Sequence, residues 1–239
     1  MTFERTVPNV AGGLASVGRT RVRQRTSDRV YDELAEAIRD LRLPPGASLS
    51  ETDLAEQLHV SRTPLREAIA RLVNTGLVSV VPQVGTRVEL IRLRDVEQAR
   101  FVRESLETAA FVAACEKPGR DVSVLRELLA RQARACEAHD LNAFFAADEA
   151  MHEQIFELSG HPDAWQLMQP MKMHLNRLRR LSLPDPSTVS ALLEEHLSIV
   201  DALEAGDTEL GCAHIRRHAR RALENGPALQ AKYPGYFGE

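Results

Sequence analysis

Residues 60–71 read VSRTPLREAIAR, and this stretch decides the fold of the N-terminal part of the chain. Leu65 and Ile69 recur at the spacing of an amphipathic helix, and Ser61 is a residue type that often caps a helix start. Pro64 fits the first turn, because backbone amides there have no partner within the helix. The stretch therefore predicts a helix that Ser61 caps and that buries one apolar face.

Two arginines, Arg62 and Arg66, lie four residues apart on the exposed face of this helix's first turn. The N-terminal end of a helix dipole is positive, so two cations there are unfavourable unless a negative partner offsets them. Arginine can pair with guanine O6 and N7, or with phosphate, through two N–H groups. The pair therefore predicts contact with double-stranded DNA, and arginines on a solvated helix face are the plainer alternative.

The segments on either side supply the rest of a DNA-binding module. Apolar residues at helical spacing predict a helix over residues 27–43, and Ser50 can cap a second helix that ends near Leu58. Residues 77–90 then hold two β-branched stretches around a turn, which predicts a small hairpin. Three short helices followed by a hairpin form a winged helix-turn-helix, whose third helix enters the major groove of DNA.

The motifs of this region resemble those of a known family. Pro-Pro-Gly-Ala-Ser-Leu-Ser-Glu precedes LAEQLHVSRTPLREAIARLVNTGLV and a glycine-containing wing, so residues 26–90 resemble the DNA-binding domain of the GntR family of bacterial transcription regulators. Two positions depart from the family's pattern, since His59 stands where glycine is usual and Val84 stands where the wing usually has a basic residue. The resemblance implies that the operator is contacted by Ser61, Arg62, Thr63, Arg66 and Gly85.

The second half of the chain shows helical patterns alone, over residues 95–116, 121–138, 140–159, 162–183, 187–205 and 207–225. Short links between long amphipathic helices predict an antiparallel bundle. The expected fold is therefore mainly α, with an N-terminal winged helix-turn-helix and a C-terminal all-α bundle of about six helices. The expected domains are a disordered basic tail over 1–25, the DNA-binding module over 26–90, a linker over 91–94 and the bundle over 95–232.

Several inward-facing positions of these helices carry polar side chains where aliphatic ones are usual. Asp148 and His152 lie one turn apart on an apolar stripe, and His196 and His218 lie on the stripes of two later helices. Buried charges must be paired or bound to a metal. One such histidine is more often a satisfied core side chain, but four converging residues favour a site for zinc, nickel or manganese. Arg103, on or beside the apolar face of its helix, could then bind an anionic ligand.

This half resembles the FCD ligand-binding domain, which together with the first half indicates the FadR subfamily of GntR regulators. The likeness rests on RESLE at residues 103–107, DEAMH at 148–152, EHLSIVDAL at 195–203 and a histidine at 218. The resemblance implies that a small organic acid is the effector and that the metal ligands are Asp148, His152, His196 and His218. Spacing alone leaves open whether His214, one turn before His218, takes the last place.

Composition excludes several other classes of protein. The chain has 239 residues, 44% of them hydrophobic, and a net charge of −4, so it has enough apolar material for a core. No apolar run is long enough to span a bilayer, and residues 7–18 lack a signal-peptide core, so we expect a cytoplasmic protein without a membrane partner. The cysteines are too widely spaced for a CxxC pair, so we expect neither disulfides nor a thiolate metal site.

These features predict a homodimeric, metal-containing repressor of transcription that binds a palindromic operator and responds to a small organic acid. Dimerisation follows because two-fold protein symmetry matches a palindromic DNA site. A metal-dependent hydrolase is the main alternative, since an open metal position can activate water. His152-Glu153 is followed by Phe156 instead of a second histidine, so the HExxH pattern is absent and we expect no enzyme. The third alternative is a constitutive DNA-binding protein with a purely structural metal.

Overall fold

The computed structural model describes residues 25–81 and 85–239. The expected basic tail, apart from its last residue, lies outside the described residues, and so does Val84 in the expected wing. Among the helices of the described ranges, none is both long and apolar enough to cross a membrane.

The N-terminal module combines short helices with a small antiparallel sheet. Its elements, in chain order, are α1 (Thr26–Arg39), β1 (Ser48–Leu49), α2 (Glu51–Gln57), α3 (Arg62–Asn74), β2 (Val78–Val81) and β3 (Gly85–Val88). The strand order is β1-β3-β2, with Val78 opposite Val88. Leu65 and Leu72 of α3 are fully buried in one cluster with Ile38 of α1. The prediction of a winged helix-turn-helix is confirmed.

Local details of this module differ from the sequence patterns. Helix α1 ends at Arg39 instead of residue 43, because Leu41 adopts a left-handed φ of 62° that a right-handed helix cannot contain. The pattern does not predict β1, whose two residues pair with β3 so that Ser48 lies opposite Arg87. His59 takes a left-handed φ of 51°, so the turn before α3 forms without the glycine that is usual there.

The C-terminal part is a helical bundle. Its elements are α4 (Leu93–Glu116), α5 (Ser123–Glu137), α6 (Leu141–Ser159), α7 (Pro162–Ser182), α8 (Pro186–Ala205), α9 (Thr208–Glu224), α10 (Gly226–Lys232) and a 3-10 turn (Pro234–Tyr236). Helices α4 to α9 match the predicted helices to within a few residues at each end, whereas the pattern does not predict α10 or the 3-10 turn. Asp140, Asp185 and Asp207 cap α6, α8 and α9 by accepting hydrogen bonds from first-turn amides.

Helix α7 lies between the bundle and the N-terminal module. Leu175 and Leu178 are fully buried in a cluster with Ile91, whereas Met173 packs on the core of the N-terminal module. Ile91 also pairs with Phe237, so the C-terminal segment packs against the connection between the module and the bundle.

Candidate metal site and DNA-binding surface

The bundle brings four of the predicted site residues together. Asp148 and His152 come from α6, His196 from α8 and His218 from α9, and their ligand atoms all lie within 4.8 Å of one another. All four side chains are buried. His214, the other candidate of α9, is half-buried and does not belong to this group. Of the two histidines that spacing could not separate, His218 is therefore the one that faces the cluster.

Buried acceptors hold the outward nitrogens of two of these histidines. Nδ1 of His196 lies 2.6 Å from Oε1 of Gln132, and Nδ1 of His218 lies 3.0 Å from Oε2 of Glu195. Burial would raise the pKa of Glu195, but the His218 and Arg221 contacts lower it to about 2, so this carboxylate is an acceptor only. Each Nδ1 therefore carries the proton, and each Nε2 keeps its lone pair for the interior of the cluster. Outer partners of this kind orient metal-binding histidines in proteins.

One pair of atoms shows how well the cluster fits a cation. Nε2 of His196 and Oδ1 of Asp148 lie 3.2 Å apart, and neither has a hydrogen-bond partner among the described residues. With the proton on Nδ1, both atoms are acceptors, and two buried acceptors in contact are unfavourable. A divalent cation satisfies both atoms, as would a second proton on the imidazole. The side chains present therefore fit an ion with three nitrogen ligands and one oxygen ligand.

The charges around the cluster favour the protonation states that a metal requires. Burial alone would raise the pKa of Asp148, but the Arg179 guanidinium holds it well below its usual range. Burial lowers the pKa of His218 to about 3, and burial together with the Arg103 charge lowers the pKa of His152 well below its usual value. A carboxylate and neutral imidazoles are the forms that bind metal ions.

Arg103 reaches into the cluster from α4. Its Nη2 lies 2.8 Å from Nε2 of His152 and 3.1 Å from Nε2 of His218, while its Nε donates to Oε1 of Glu107 at 2.7 Å. The lone pairs that could bind a metal therefore accept hydrogen bonds from Arg103. A metal on these histidines would displace that contact, and the displacement would free guanidinium N–H groups for an anion.

A small cavity of about 20 Å³ adjoins the cluster. Its walls include the guanidinium-bearing side chains of Arg103, Arg179 and Arg221, together with the hydroxyl-bearing Ser182 and Thr188. This volume is enough for about one water molecule. An effector larger than water therefore requires the cavity to widen, and the guanidinium groups in its walls favour an anionic molecule.

The first turn of α3 presents the predicted DNA contacts to solvent. Arg62, Thr63 and Arg66 are all exposed. Nη2 of Arg62 lies 3.5 Å from Oγ1 of Thr52, and Nε of Arg66 donates to Oε2 of Glu51 at 2.9 Å. Contacts between exposed side chains contribute little to stability, so DNA can replace these two partners from α2 at small cost.

The structure places the two remaining predicted DNA contacts, Ser61 and Gly85, in different local settings. Ser61 occupies the N-cap position of α3, but its side chain makes no capping hydrogen bond within the described part of the chain, so the prediction of a side-chain cap is wrong. Its exposed hydroxyl remains available to a phosphate. Gly85 begins β3 with a φ of 108°, which favours glycine, and a Cβ there would meet no described atom within 4 Å. The backbone at this point of the wing is therefore open to close approach.

Sequence reasoning does not identify Gln132 and Arg179 as parts of the site. Gln132 is fully buried on α5, and Arg179 is buried on α7 in an ion pair with Asp148. Gln132 does leave a signal, because it continues the apolar stripe of Leu125 and Leu129 at helical spacing with a polar side chain. Arg179 lies in a basic stretch whose pattern does not distinguish a buried arginine from its neighbours.

Comparison with known families covers both parts of the chain. Residues 26–88 match the bacterial regulatory proteins of the gntR family, and residues 98–221 match the FCD domain. A helix-turn-helix transcriptional regulator in an unstable DNA locus of Streptomyces ambofaciens is 37% identical over 215 residues, which is 89% of this chain and 90% of that protein. The transcriptional repressor RspR of Escherichia coli is 28% identical over 217 residues, which is 90% of this chain and 95% of that protein.

Solved structures agree with this assignment. Escherichia coli McbR/YncC has a TM-score of 0.74 and 25% identity, and the match covers 88% of this chain and 99% of that one. A GntR regulator from Rhodococcus sp. RHA1 has a TM-score of 0.71 and 25% identity, covering 84% of this chain and 97% of that one. The family and these relatives are regulators of transcription and not enzymes, which confirms the prediction that the chain is not an enzyme. The chain belongs to the GntR family, with the FCD domain of the FadR subfamily, and is a DNA-binding transcription regulator.

Proposed function

We propose that this regulator is a homodimeric, metal-containing repressor that a small organic acid releases from a palindromic operator. The observation that carries the proposal is the unpartnered pair formed by Oδ1 of Asp148 and Nε2 of His196 inside a cluster of buried histidines. Two buried acceptors in contact are expected where a cation belongs. A cation site inside the FCD domain would give this regulator a position at which an effector can bind.

The proposed metal ligands are Asp148, His152, His196 and His218. Their three imidazoles and one carboxylate suit zinc, nickel or manganese. When bound, the metal supplies a Lewis-acidic position for a carboxylate of the effector. The contribution of the protein is to orient its imidazoles, to keep Asp148 ionised and to offer Arg103 to an anion. Arg103 is the proposed effector-binding residue because its guanidinium already reaches the centre of the cluster.

The proposed DNA contacts are on and beside the first turn of α3, with one contribution from the wing. They are Ser61, Arg62, Thr63, Arg66 and Gly85. The domain boundaries that go with this proposal are a tail over 1–25, the DNA-binding module over 26–90, a linker over 91–94 and the effector domain over 95–232. Two such modules related by two-fold symmetry match a palindromic site.

Two relatives support the choice of a repressor. RspR of Escherichia coli carries that description, and so does a probable D-xylose utilization operon repressor of Paenarthrobacter nicotinovorans, which is 30% identical over 208 residues. Repression by a dimer is the simpler mechanism, because a bound effector then needs only to change the spacing of the two recognition helices.

A DNA-binding titration with a panel of small carboxylic acids tests the proposal. A fragment that wild-type protein selects from a random DNA pool serves as the operator, and fluorescence anisotropy reports binding of the zinc-loaded protein. One or more acids should release the wild-type protein. Arg103→Ala should bind the same DNA but ignore the acid. Arg100→Ala, which loses ion pairs to Glu97 and Glu104 of its own helix, should respond normally. Release of Arg103→Ala at the wild-type acid concentration would contradict the proposal.

A further inference from the structure

One side of helix α7 contacts the candidate metal site. The guanidinium of Arg179 bridges two carboxylates of α6, those of Asp148 and Glu149. Lys172, fully buried on the same helix, binds Glu149 from a second position, with Nζ 2.7 Å from Oε2. Asp148, one of the candidate ligands, is therefore tied to α7 by a buried ion pair.

A different side of α7 contacts the N-terminal module. Nε2 of His174 lies 2.9 Å from the carbonyl oxygen of Thr75, the residue that directly follows recognition helix α3. Arg177 donates to the carbonyl oxygen of Glu89, directly after β3, at 2.6 Å. These two contacts hold the C-terminal end of the recognition helix and the base of the wing.

An ion pair between Arg180 and Asp40 adds another contact between α7 and the module. Nη2 of Arg180 lies 2.6 Å from Oδ1 of Asp40, the residue that directly follows α1. The two side chains are 9% and 17% exposed, so solvent screens the pair less than it screens a surface ion pair. Arg180 directly follows Arg179 in the chain, so a displacement of this turn of α7 moves both ion pairs together.

We propose that α7 transmits the state of the metal site to the recognition helix, with the adjacent Arg179 and Arg180 at the two ends of the connection. This inference rests on the proposed metal at Asp148. A divalent cation beside Asp148 adds positive charge close to the Arg179 guanidinium, which weakens the ion pair that positions α7. Because a packed helix moves as a unit, its adjustment displaces the contacts with Asp40 and Thr75.

Hydrogen–deuterium exchange of the full chain, with and without zinc, tests the connection without an operator or an effector. In the wild-type protein, zinc should change exchange in residues 145–152 of the bundle and in residues 36–43 and 71–78 of the N-terminal module. Arg180→Ala and Asp40→Asn remove the same ion pair from its two sides without altering a candidate ligand. Both variants should keep the bound zinc and the change in the bundle, but lose the change in residues 36–43, which this ion pair connects to α7.

Arg42→Ala is the matched control. Arg42 lines the same cleft between α1 and the bundle, but it pairs with Glu33 inside the N-terminal module at 3.0 Å. This variant should respond to zinc as the wild type does. Circular dichroism checks the helix content of each variant, and either Arg180→Ala or Asp40→Asn alone is sufficient if the other does not fold.

Two results would overturn the connection while leaving the metal site in place. One is a change in residues 36–43 that persists when the ion pair between Arg180 and Asp40 is removed. The other is a wild-type change that is confined to the bundle although zinc is bound. A wild-type protein that retains no zinc after dialysis would overturn both the connection and the metal site, and the measured metal content separates this failure from the first two.

Discussion

Replacing Gln132 by methionine should weaken metal binding by about 10–100-fold, because Gln132 fixes the tautomer of His196. Its Oε1 lies 2.6 Å from Nδ1 of His196, and Gln132 is fully buried, so no water replaces it as acceptor. Without that acceptor the proton can move to Nε2 and be donated to Oδ1 of Asp148, 3.2 Å away. The new hydrogen bond would satisfy the two atoms that a metal otherwise satisfies. The expected loss corresponds to about 1.4–2.7 kcal/mol of binding free energy.

Competition with a chromophoric chelator at neutral pH measures the zinc affinity. Methionine fills a volume similar to that of glutamine, so Gln132→Met removes the acceptor with little change in packing. Gln132→Glu keeps an acceptor at the same position and should bind zinc at least as well as the wild type. Urea unfolding of both variants establishes that the fold is retained. Equal zinc affinity in the wild type and in a folded Gln132→Met would refute the assignment of Gln132 as the residue that orients His196.

Three further predictions concern DNA binding, pH dependence and packing. Arg66→Ala should weaken binding of the selected DNA by about 1–3 kcal/mol, which anisotropy would detect, and unchanged affinity would reject α3 as the recognition helix. Burial lowers the pKa of Lys172 from 10.5 to about 8, so the unfolded chain binds more protons between these pH values and stability should rise with pH across them. When urea unfolding is measured across this pH range, the free energy of unfolding of Lys172→Met should not show this rise. A variant whose free energy of unfolding rises with pH as in the wild type would show that another group is responsible. Gly211→Ala should lower the free energy of unfolding by about 1–3 kcal/mol, because a Cβ would lie 2.0 Å from the Phe111 ring. A variant more stable than the wild type would contradict the close approach of α4 and α9.

Local sequence information accounts for most of the fold. Helices α4 to α9 are long and amphipathic, and aspartates cap three of them, so each helix could be located without knowledge of its neighbours. Strand β1 could not be located in this way, because its two residues form a strand only by pairing with β3. The end of α1 depends on the left-handed conformation of Leu41, a residue type that rarely adopts it.

The residues of the candidate site also fall into those that local sequence could identify and those that it could not. Asp148, His152, His196 and His218 could be proposed from sequence because each places a polar side chain on an apolar stripe. Their outer partners depend on which helices are neighbours, and the spacing within one helix does not contain that information. Gln132 acquires its role only because α5 packs beside α8, which carries the histidine that it holds.

Ser61 illustrates a limit of residue-type arguments. Serine is favoured at the N-cap, and Ser61 does stand there, but its side chain does not make the hydrogen bond that explains the preference. At Ser50, in contrast, the side chain accepts from the amide of Asp53, as predicted for α2. That a serine stands at the N-cap position and that its side chain makes the capping hydrogen bond are separate predictions, and only the structure tests the second.

The metal content of untagged protein, purified without chelator or added metal, tests the central claim most directly. Elemental analysis should find about one divalent ion per chain in the wild type and none in His196→Ala, since the ligand set loses one of its three imidazoles. DNA binding by His196→Ala shows in the same experiment that the variant is folded. Stoichiometric metal in His196→Ala would contradict the ligand set. A wild-type chain that binds no ion even after reconstitution with zinc, nickel or manganese would contradict the metal site as a whole.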